Sequence, residues 1–331
     1  MKICIYGLGA IGGMMGGWLA AAGEDVSAVL RRGATLDAVR KNGLTLTETV
    51  DGAPRSRQIA IRAVEDPSEL GPQDLVIVAV KSTALPDVAR RIAPLLGPDT
   101  TVLSAMNGVP WWFFHGLAPE LASTPLPSAD ADGSIAAAIP AARVLGCVVH
   151  LSAATPEPGV VRLVAGKRLI IGEPAGGADT PRARAAIEAL RRAGFEIDEA
   201  ERIQHDIWFK LLGNMTTNPV SAITHATADR VVDDELVTEF TSRCMLEAWE
   251  IARRIGIDIP GTPQDRHAVT RKLGAFRTSM LQDVESNRKI ELDALVGTVR
   301  DIARHVKFET PNIDALFGLT RLYARSLGLY D

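Results

Sequence analysis

The sequence predicts an α/β N-terminal half with a mostly parallel sheet, followed by an all-α C-terminal half. Three observations predict it. A short apolar strand, Ile3-Cys4-Ile5-Tyr6, runs straight into a glycine cluster. A continuous apolar run at Asp74-Leu75-Val76-Ile77-Val78-Ala79-Val80 reads as a strand covered on both faces, the mark of a parallel sheet. After about Ala200 strand patterns vanish and long helical windows take over, which divides the chain into domains at 1–199 and 200–331.

The first strand is followed by Gly7-Leu8-Gly9-Ala10-Ile11-Gly12, and Val26-Ser27-Ala28-Val29-Leu30 supplies the second strand. A GxGxxG between a strand and a helix, inside a unit of about 30 residues, is the dinucleotide-binding context. The first glycine makes the tight turn, the second lets backbone approach a pyrophosphate, and the third lets the helix pack closely on the sheet. The helix N-terminus then faces the phosphates. All six residues, Gly7, Leu8, Gly9, Ala10, Ile11 and Gly12, are therefore candidate cofactor-binding positions in a Rossmann-type domain. The competing reading is a glycine-rich packing turn with no ligand.

The residue after the second strand reads the adenosine ribose: an acid suits NAD, an arginine the 2′-phosphate of NADP. Here Arg31 and Arg32 follow, with Gly33 and no acid beside them in sequence. NADP is the expected cofactor; a solvated arginine pair is the bland alternative.

The strand at 74–80 ends in Lys81-Ser82-Thr83, and a helix is expected from about Leu85 to Leu96. Thr101-Val102-Leu103-Ser104 is the next strand, ending in Met106-Asn107-Gly108. Ligands of open α/β sheets sit beyond the carboxyl ends of strands, which marks Lys81 and Asn107 as candidates beside ordinary loop roles. Residues 124–132 read as loop. From Arg143 to Ile171 shorter strands are expected, with turns at Pro156-Glu157-Pro158-Gly159 and Ala165-Gly166. A helix from Pro181 to Ala193 and a strand at Phe195-Glu196-Ile197 close this half.

The helical half opens on Trp208-Phe209-Lys210-Leu211-Leu212-Gly213-Asn214-Met215-Thr216-Thr217-Asn218-Pro219. Lys210, Asn214 and Asn218 recur four residues apart, so they share one helical face. Asparagine is a poor helix former, and a solvated stripe more often carries Glu, Lys or Gln. A functional stripe and a solvent face both remain open on pattern alone. A second line is Ser279-Met280-Leu281-Gln282-Asp283-Val284, then Arg288-Lys289-Ile290-Glu291-Leu292-Asp293, with Glu285-Ser286-Asn287 as a break; by pattern Glu291 reads as a solvated helix charge.

Composition excludes several classes. At 47% hydrophobic and 23% charged, with net charge -4, the chain is an ordinary globular protein without the basic footprint of a nucleic-acid binder. Three scattered cysteines, Cys4, Cys147 and Cys244, form neither a disulfide framework nor a zinc site, which points to a reducing, cytoplasmic compartment and no metal. The run Ile3–Gly23 has no ionised residue and so imitates a membrane span or signal peptide, with GxxxG spacing at Gly9/Gly13 and Gly12/Gly16. Its seven glycines, each weakening an isolated helix by about 1 kcal/mol, oppose that reading.

Taken together, the glycine turn, Arg31, Val80-Lys81, Asn107-Gly108, the Trp208-x-Lys210-x-x-x-Asn214-x-x-x-Asn218-Pro219 line, Ser279-Met280-Leu281-Gln282-Asp283 and Glu291-Leu292-Asp293 resemble the ketopantoate reductase family (2-dehydropantoate 2-reductases), nearly end to end. The resemblance implies a Rossmann domain followed by a helical domain, with the site between them. It implies NADPH as cofactor and reduction of a 2-keto acid to the 2-hydroxy acid, ketopantoate to pantoate, on the way to coenzyme A. It also implies Lys210 as general acid and Glu291 at the reacting hydroxyl. Asn214, Asn218 and Ser279 would hold the substrate, and Lys81 and Asn107 would lie near the cofactor. The partner is then a small 2-keto acid, with neither nucleic acid nor membrane involved; a homodimer is left open.

Two features depart from the family pattern. Val296 stands where asparagine is expected after Glu291. Asn107-Gly108 leads into Val109-Pro110-Trp111-Trp112-Phe113-Phe114-His115. Those four aromatics would either line a pocket for a bulkier or flatter 2-keto or 3-hydroxy acid, or pack as core. A sibling reductase and a non-catalytic NADP-binding module are the rival functions.

Overall fold

The computed structural model describes residues 1–50, 52–272 and 274–331, with nothing said of the Val50 side chain. The chain separates into two compact units: residues 1–106 with 134–203, and residues 107–133 with 204–331. Residues 107–133, which the sequence leaves with the first half, thus group with the second.

The first unit is a ten-stranded sheet with helices. Its elements in order are β1 (Lys2–Tyr6), α1 (Ala10–Ala21), β2 (Asp25–Val29), α2 (Ala34–Asn42), β3 (Leu44–Val50), β4 (Ala53–Ile59), β5 (Arg62–Val64), β6 (Gln73–Val78), α3 (Leu85–Arg91) and β7 (Leu96–Ser104). After the excursion at 107–133 come α4 (Ser134–Ala138), β8 (Val144–Glu157), β9 (Val160–Gly172), α5 (Pro181–Arg192) and β10 (Glu196–Glu199). The strands β5-β2-β1-β6-β7-β8 run parallel, as the apolar runs predict. Ile3, Ile5, Val76 and Ile77 are fully buried, so both faces of the central strands are covered.

The run Ile3–Gly23 resolves into β1 and α1, and among the described residues no helix is long and apolar enough to cross a membrane. Its glycines pack the helix onto the sheet instead. A Cβ at Gly13 would stand 2.4 Å from Val161 of β9, and one at Gly16 would stand 2.8 Å from Ile5 of β1.

Three local expectations need correction. Residues 143–171 form two long antiparallel strands, β8 and β9, of 14 and 13 residues rather than several short ones. Pro156–Gly159 is their connecting turn, but Ala165-Gly166 lies within β9, where a register shift puts one extra residue opposite His150–Ser152. Gly166 takes φ +73° there, with His150 O 2.6 Å from where a Cβ would stand. The helix expected over 85–96 stops at Arg91, gives a single 3₁₀ turn at Ala93–Leu95, and is followed at once by β7.

The β3–β4 hairpin is an addition that alternation did not reveal. Leu44 and Leu46 are buried, but every described side chain of β4 up to Gln58 is exposed. β3 joins the sheet by pairing parallel with β9.

The second unit is helical: α6 (Ile203–Thr224), α7 (Ala228–Asp233), α8 (Glu235–Arg254), α9 (Pro263–Arg271), α10 (Ser279–Glu285), a π-helical turn at Asp293–Gly297, α11 (Thr298–His305) and α12 (Pro311–Ser326). Trp208 of α6 is fully buried and donates to Ala248 O of α8 at 3.2 Å. The break expected at Glu285-Ser286-Asn287 is real: α10 ends there, and Asn287 adopts φ 53°.

Glu247, buried on α8, closes the N-terminus of α12. Its carboxylate accepts from Asn312 N at 3.0 Å, Asn312 Nδ2 at 2.6 Å and Ile313 N at 2.9 Å. The first amides of a helix have no partner within it, so a carboxylate there fills an obligatory need and meets the helix dipole favourably. Glu247→Ala is expected to cost about 2–4 kcal/mol of stability, since it strands buried donors. Chemical denaturation checks this, and a loss under about 0.5 kcal/mol, the level of an ordinary surface substitution, would show that water replaces the carboxylate at no penalty.

Candidate functional site

In the first unit the glycine turn has the geometry a dinucleotide needs. Gly7 takes φ +97°, a conformation that L side chains rarely adopt, and its N–H donates to Val29 O of β2 at 3.0 Å. A Cβ at Gly12 would stand 2.0 Å from Gly7 O, so only glycine lets α1 start this close to β1. Gly9 is different: it is exposed, and a Cβ there would meet nothing within 4 Å. The second glycine therefore borders open space, which is where backbone must approach a ligand.

Gly9 is also the N-cap of α1, with no capping side chain and no acid in the first turn. Uncapped amides at a helix N-terminus present partial positive charge to an anion. Leu8 is buried beneath the turn, while Ala10 and Ile11 are half-buried at its rim. These residues fit a pyrophosphate.

Arg31 is exposed just beyond β2 and, among the described residues, makes no ion pair. Arg32 differs: its Nε donates to Glu65 Oε2 at 3.3 Å, with both groups solvent-exposed. The fold thus supplies an acid that sequence proximity did not, because β5 pairs beside β2 and delivers the residue after it. That acid engages Arg32, whereas Arg31 has no ion pair among the described residues. Lys81 lies half-buried past the end of β6, capping a 3₁₀ turn at Ser82–Ala84.

In the second unit, Lys210, Asn214 and Asn218 lie along α6 as their spacing predicts. Lys210 and Asn214 are half-buried and Asn218 is buried, so the stripe is not a solvent face. The ammonium of Lys210 donates to Asn107 Oδ1 at 2.9 Å. Asn107 and Lys210 are 103 residues apart, and nothing in the sequence pattern pairs them. At the other end of the stripe, Asn218 Nδ2 donates to Ser279 Oγ at 3.4 Å. Ser279 is exposed at the first turn of α10, just after Thr278, whose hydroxyl caps that helix by accepting from Leu281 N at 3.2 Å.

Glu291 is half-buried two residues before the π-helical turn, and its carbonyl accepts from Leu295 N at 3.3 Å. Single π-helical turns recur at functional positions because they reorient the residues around them. The same turn reaches the Asn107 segment: Val109 N donates to Ala294 O at 3.0 Å. Gly108, at φ +85°, is held so close that a Cβ would stand 2.3 Å from that carbonyl.

Sequence reasoning missed this link, since its essential group is a backbone carbonyl. The structure therefore joins Lys210 to Asn107 and Asn218 to Ser279, and it seats the Asn107 turn on the segment bearing Glu291. A cation held by an amide, two further amides and a hydroxyl on one surface can hydrogen-bond the carbonyl, hydroxyl and carboxylate of a small acid.

The two departures from the expected family pattern both fall in packing. Val296 has no exposure at all. Trp112, Phe113 and Phe114 are buried inside the second unit. Phe113 contacts Phe114 and Trp208, with ring centroids 5.9 and 5.7 Å away, and Phe114 lies 6.4 Å from the His305 ring. The aromatic run is core, with Trp111 alone half-buried.

Comparison with known proteins adds a family. Residues 3–176 match the model described as "Ketopantoate reductase PanE/ApbA", and residues 202–324 match its C-terminal companion. A 2-dehydropantoate 2-reductase of Mesorhizobium japonicum is 40% identical over 331 residues, covering 100% of both chains. A crystal structure from Ralstonia solanacearum MolK2, described as a candidate ketopantoate reductase, superposes with TM-score 0.92 at 52% identity, covering 99% of each chain. D-mandelate dehydrogenase, solved with NADH and anilino(oxo)acetate, shares the fold at TM-score 0.83 but only 20% identity, over 99% of this chain and 100% of that one.

Proposed function

The chain belongs to the ketopantoate reductase family, and from that premise we propose that it reduces 2-dehydropantoate to pantoate with NADPH. The observation that carries this reading is Lys210, whose ammonium is held by Asn107 on the same polar stripe as Asn214 and Asn218.

Bound NADPH supplies the hydride that reaches the ketone carbon, while the protein handles position and proton. Lys210 donates a proton to the ketone oxygen as negative charge develops there, the task of a general acid within hydrogen-bond reach. Glu291 accepts from the substrate hydroxyl. Asn214, Asn218 and Ser279 hold the acid in place. Gly7 to Gly12 cradle the pyrophosphate, Arg31 takes the 2′-phosphate, and Lys81 and Asn107 are each assigned a cofactor contact.

The same reading makes the protein cytoplasmic, in keeping with three buried free thiols. A homodimer is proposed beside it, on a separate observation. Leu246 on α8 and Leu319 and Leu322 on α12 are exposed apolar side chains of the kind a second copy would cover.

The burial of Trp112, Phe113 and Phe114 favours ketopantoate over a bulkier substrate, because these rings are spent on the core. Steady-state turnover with NADPH against ketopantoate, 2-ketoisovalerate and phenylglyoxylate tests this. Ketopantoate is expected to give the highest kcat/KM. A win for phenylglyoxylate would make the protein a sibling reductase. Absence of turnover together with absence of isotope-labelled hydride exchange would make it a binding module.

A further inference from the structure

The segment after α12 returns to the residues around Glu291 and grips them at three successive points. Leu329, buried, accepts from Ile290 N at 3.2 Å through its carbonyl, while its own N–H donates to Ala324 O at 2.8 Å. The Tyr330 hydroxyl donates to Asp293 Oδ1 at 2.7 Å. Lys289 Nζ reaches both carboxylate oxygens of Asp331 at 2.6 Å. Arg325 of α12 braces the same segment, donating to Asp331 O at 2.9 Å with its guanidinium 5.5 Å from the Tyr330 ring centroid. The gripped residues, Lys289, Ile290 and Asp293, bracket Glu291 on both sides.

Asp293 opens the π-helical turn, and the next residue, Ala294, presents the carbonyl that accepts from Val109 N at 3.0 Å. Two residues before Val109 stands Asn107, whose Oδ1 holds the Lys210 ammonium at 2.9 Å. A continuous path of hydrogen bonds and short backbone steps thus runs from Tyr330 through Asp293 and Ala294 to Val109, Asn107 and Lys210, and Glu291 stands beside it, two residues before Asp293. Every link lies within the second unit.

We infer that Tyr330 and Asp293 are positioning residues: the segment Leu329–Asp331 straps the π-helical turn, and so sets where Glu291 and the Asn107-held ammonium of Lys210 stand. The physical reason is that a π-helical turn is an intrinsically poor helix, rare outside functional positions, and needs external bonds to keep one geometry. Asp293 has the environment for such a bond. Burial pushes its carboxyl above the usual carboxylate range against the opposing effect of the Tyr330 hydroxyl. The phenol is pushed up as well, by burial and by the same hydrogen bond, so it stays a donor at neutral pH.

The inference rests on the proposed roles of Lys210 and Glu291, and its test is built to fail separately from them. Tyr330→Phe removes one oxygen, Asp293→Ala removes the acceptor, and Asp293→Asn keeps an acceptor oxygen in place. Hydrogen exchange read on the free protein is expected to quicken at least about fivefold at Val109 and across 290–297 in Tyr330→Phe and Asp293→Ala, since local opening follows lost hydrogen bonds. Exchange on α8 is expected to stay put. Turnover of the best 2-keto acid is expected to fall about 5- to 50-fold in kcat in both variants, within what a sub-ångström misplacement costs. KM values should hold, and Asp293→Asn should recover to within about threefold of wild type.

Unchanged exchange at Val109 and 290–297 would overturn the strap, and so would a rise shared equally with α8, which is global destabilisation. A kcat within twofold of wild type in both variants would overturn the positioning role. If the wild type reduces no 2-keto acid, the functional reading fails, while the exchange experiment still decides the strap.

Discussion

Replacing Lys210 with alanine is expected to lower kcat by about 100- to 10,000-fold, the range for loss of a positioned general acid, with NADPH affinity nearly unchanged. Reduction of a ketone leaves an alkoxide, and without a donor at that oxygen the charge must be carried unaided into the transition state. In the proposed mechanism Lys210 is that donor. It sits mid-helix on α6, half-buried, with its ammonium fixed by Asn107 at 2.9 Å. Stopped-flow single turnovers, together with an NADPH titration, separate loss of chemistry from loss of binding. Asn107→Ala should show a weaker form of the same defect, because it removes one hydrogen bond that orients the ammonium without deleting the ammonium itself. A Lys210→Ala enzyme with normal kcat would transfer the acid role to another group, and Lys81 would be tested next.

The glycine turn and its flanking strands were legible because each residue answers a local requirement. Gly7 needs a positive φ and Gly12 a close approach, and both needs arise within a dozen residues. The α6 stripe was legible for a similar reason, since helical periodicity alone places Lys210, Asn214 and Asn218 on one face. What escaped reading was mostly long-range. The segment 107–133 packs with the helical unit although it lies between strands in sequence, and its aromatic run is core because Trp208 comes to meet Phe113. No window of sequence contains both partners.

The β8–β9 pair escaped for a different reason. Ala165-Gly166 carries a turn signature, yet a bulge uses glycine for the same backbone freedom, and composition cannot separate the two. In the site, Lys210–Asn107 and Arg32–Glu65 are contacts that topology creates. Lys210, Asn107 and Arg32 could be named in advance, but Glu65 and both pairings could not.

That last pairing bears directly on cofactor choice. Arg31→Ala is expected to weaken NADPH by roughly 10- to 100-fold, the worth of a charge-assisted hydrogen bond of about 1.5–3 kcal/mol, and to leave NADH nearly unchanged. The two cofactors differ only in the 2′-phosphate, so a cation that recognises it must discriminate between them. Arg31 is exposed beyond β2 and outside any ion pair among the described residues, whereas Arg32 donates to Glu65 at 3.3 Å. Arg32→Ala should therefore cost less, about threefold or under, as fits a solvent-exposed pair worth about 0–1 kcal/mol. Fluorescence titration of both cofactors against wild type and each variant reads the difference. Raising salt should shrink the wild-type preference for NADPH, since an exposed guanidinium–phosphate contact is screened within about 10 Å at 0.1 M ionic strength. Equal losses for NADPH and NADH in Arg31→Ala would make the arginine structural. A larger loss in Arg32→Ala than in Arg31→Ala would mean that Glu65 releases its partner when the phosphate arrives.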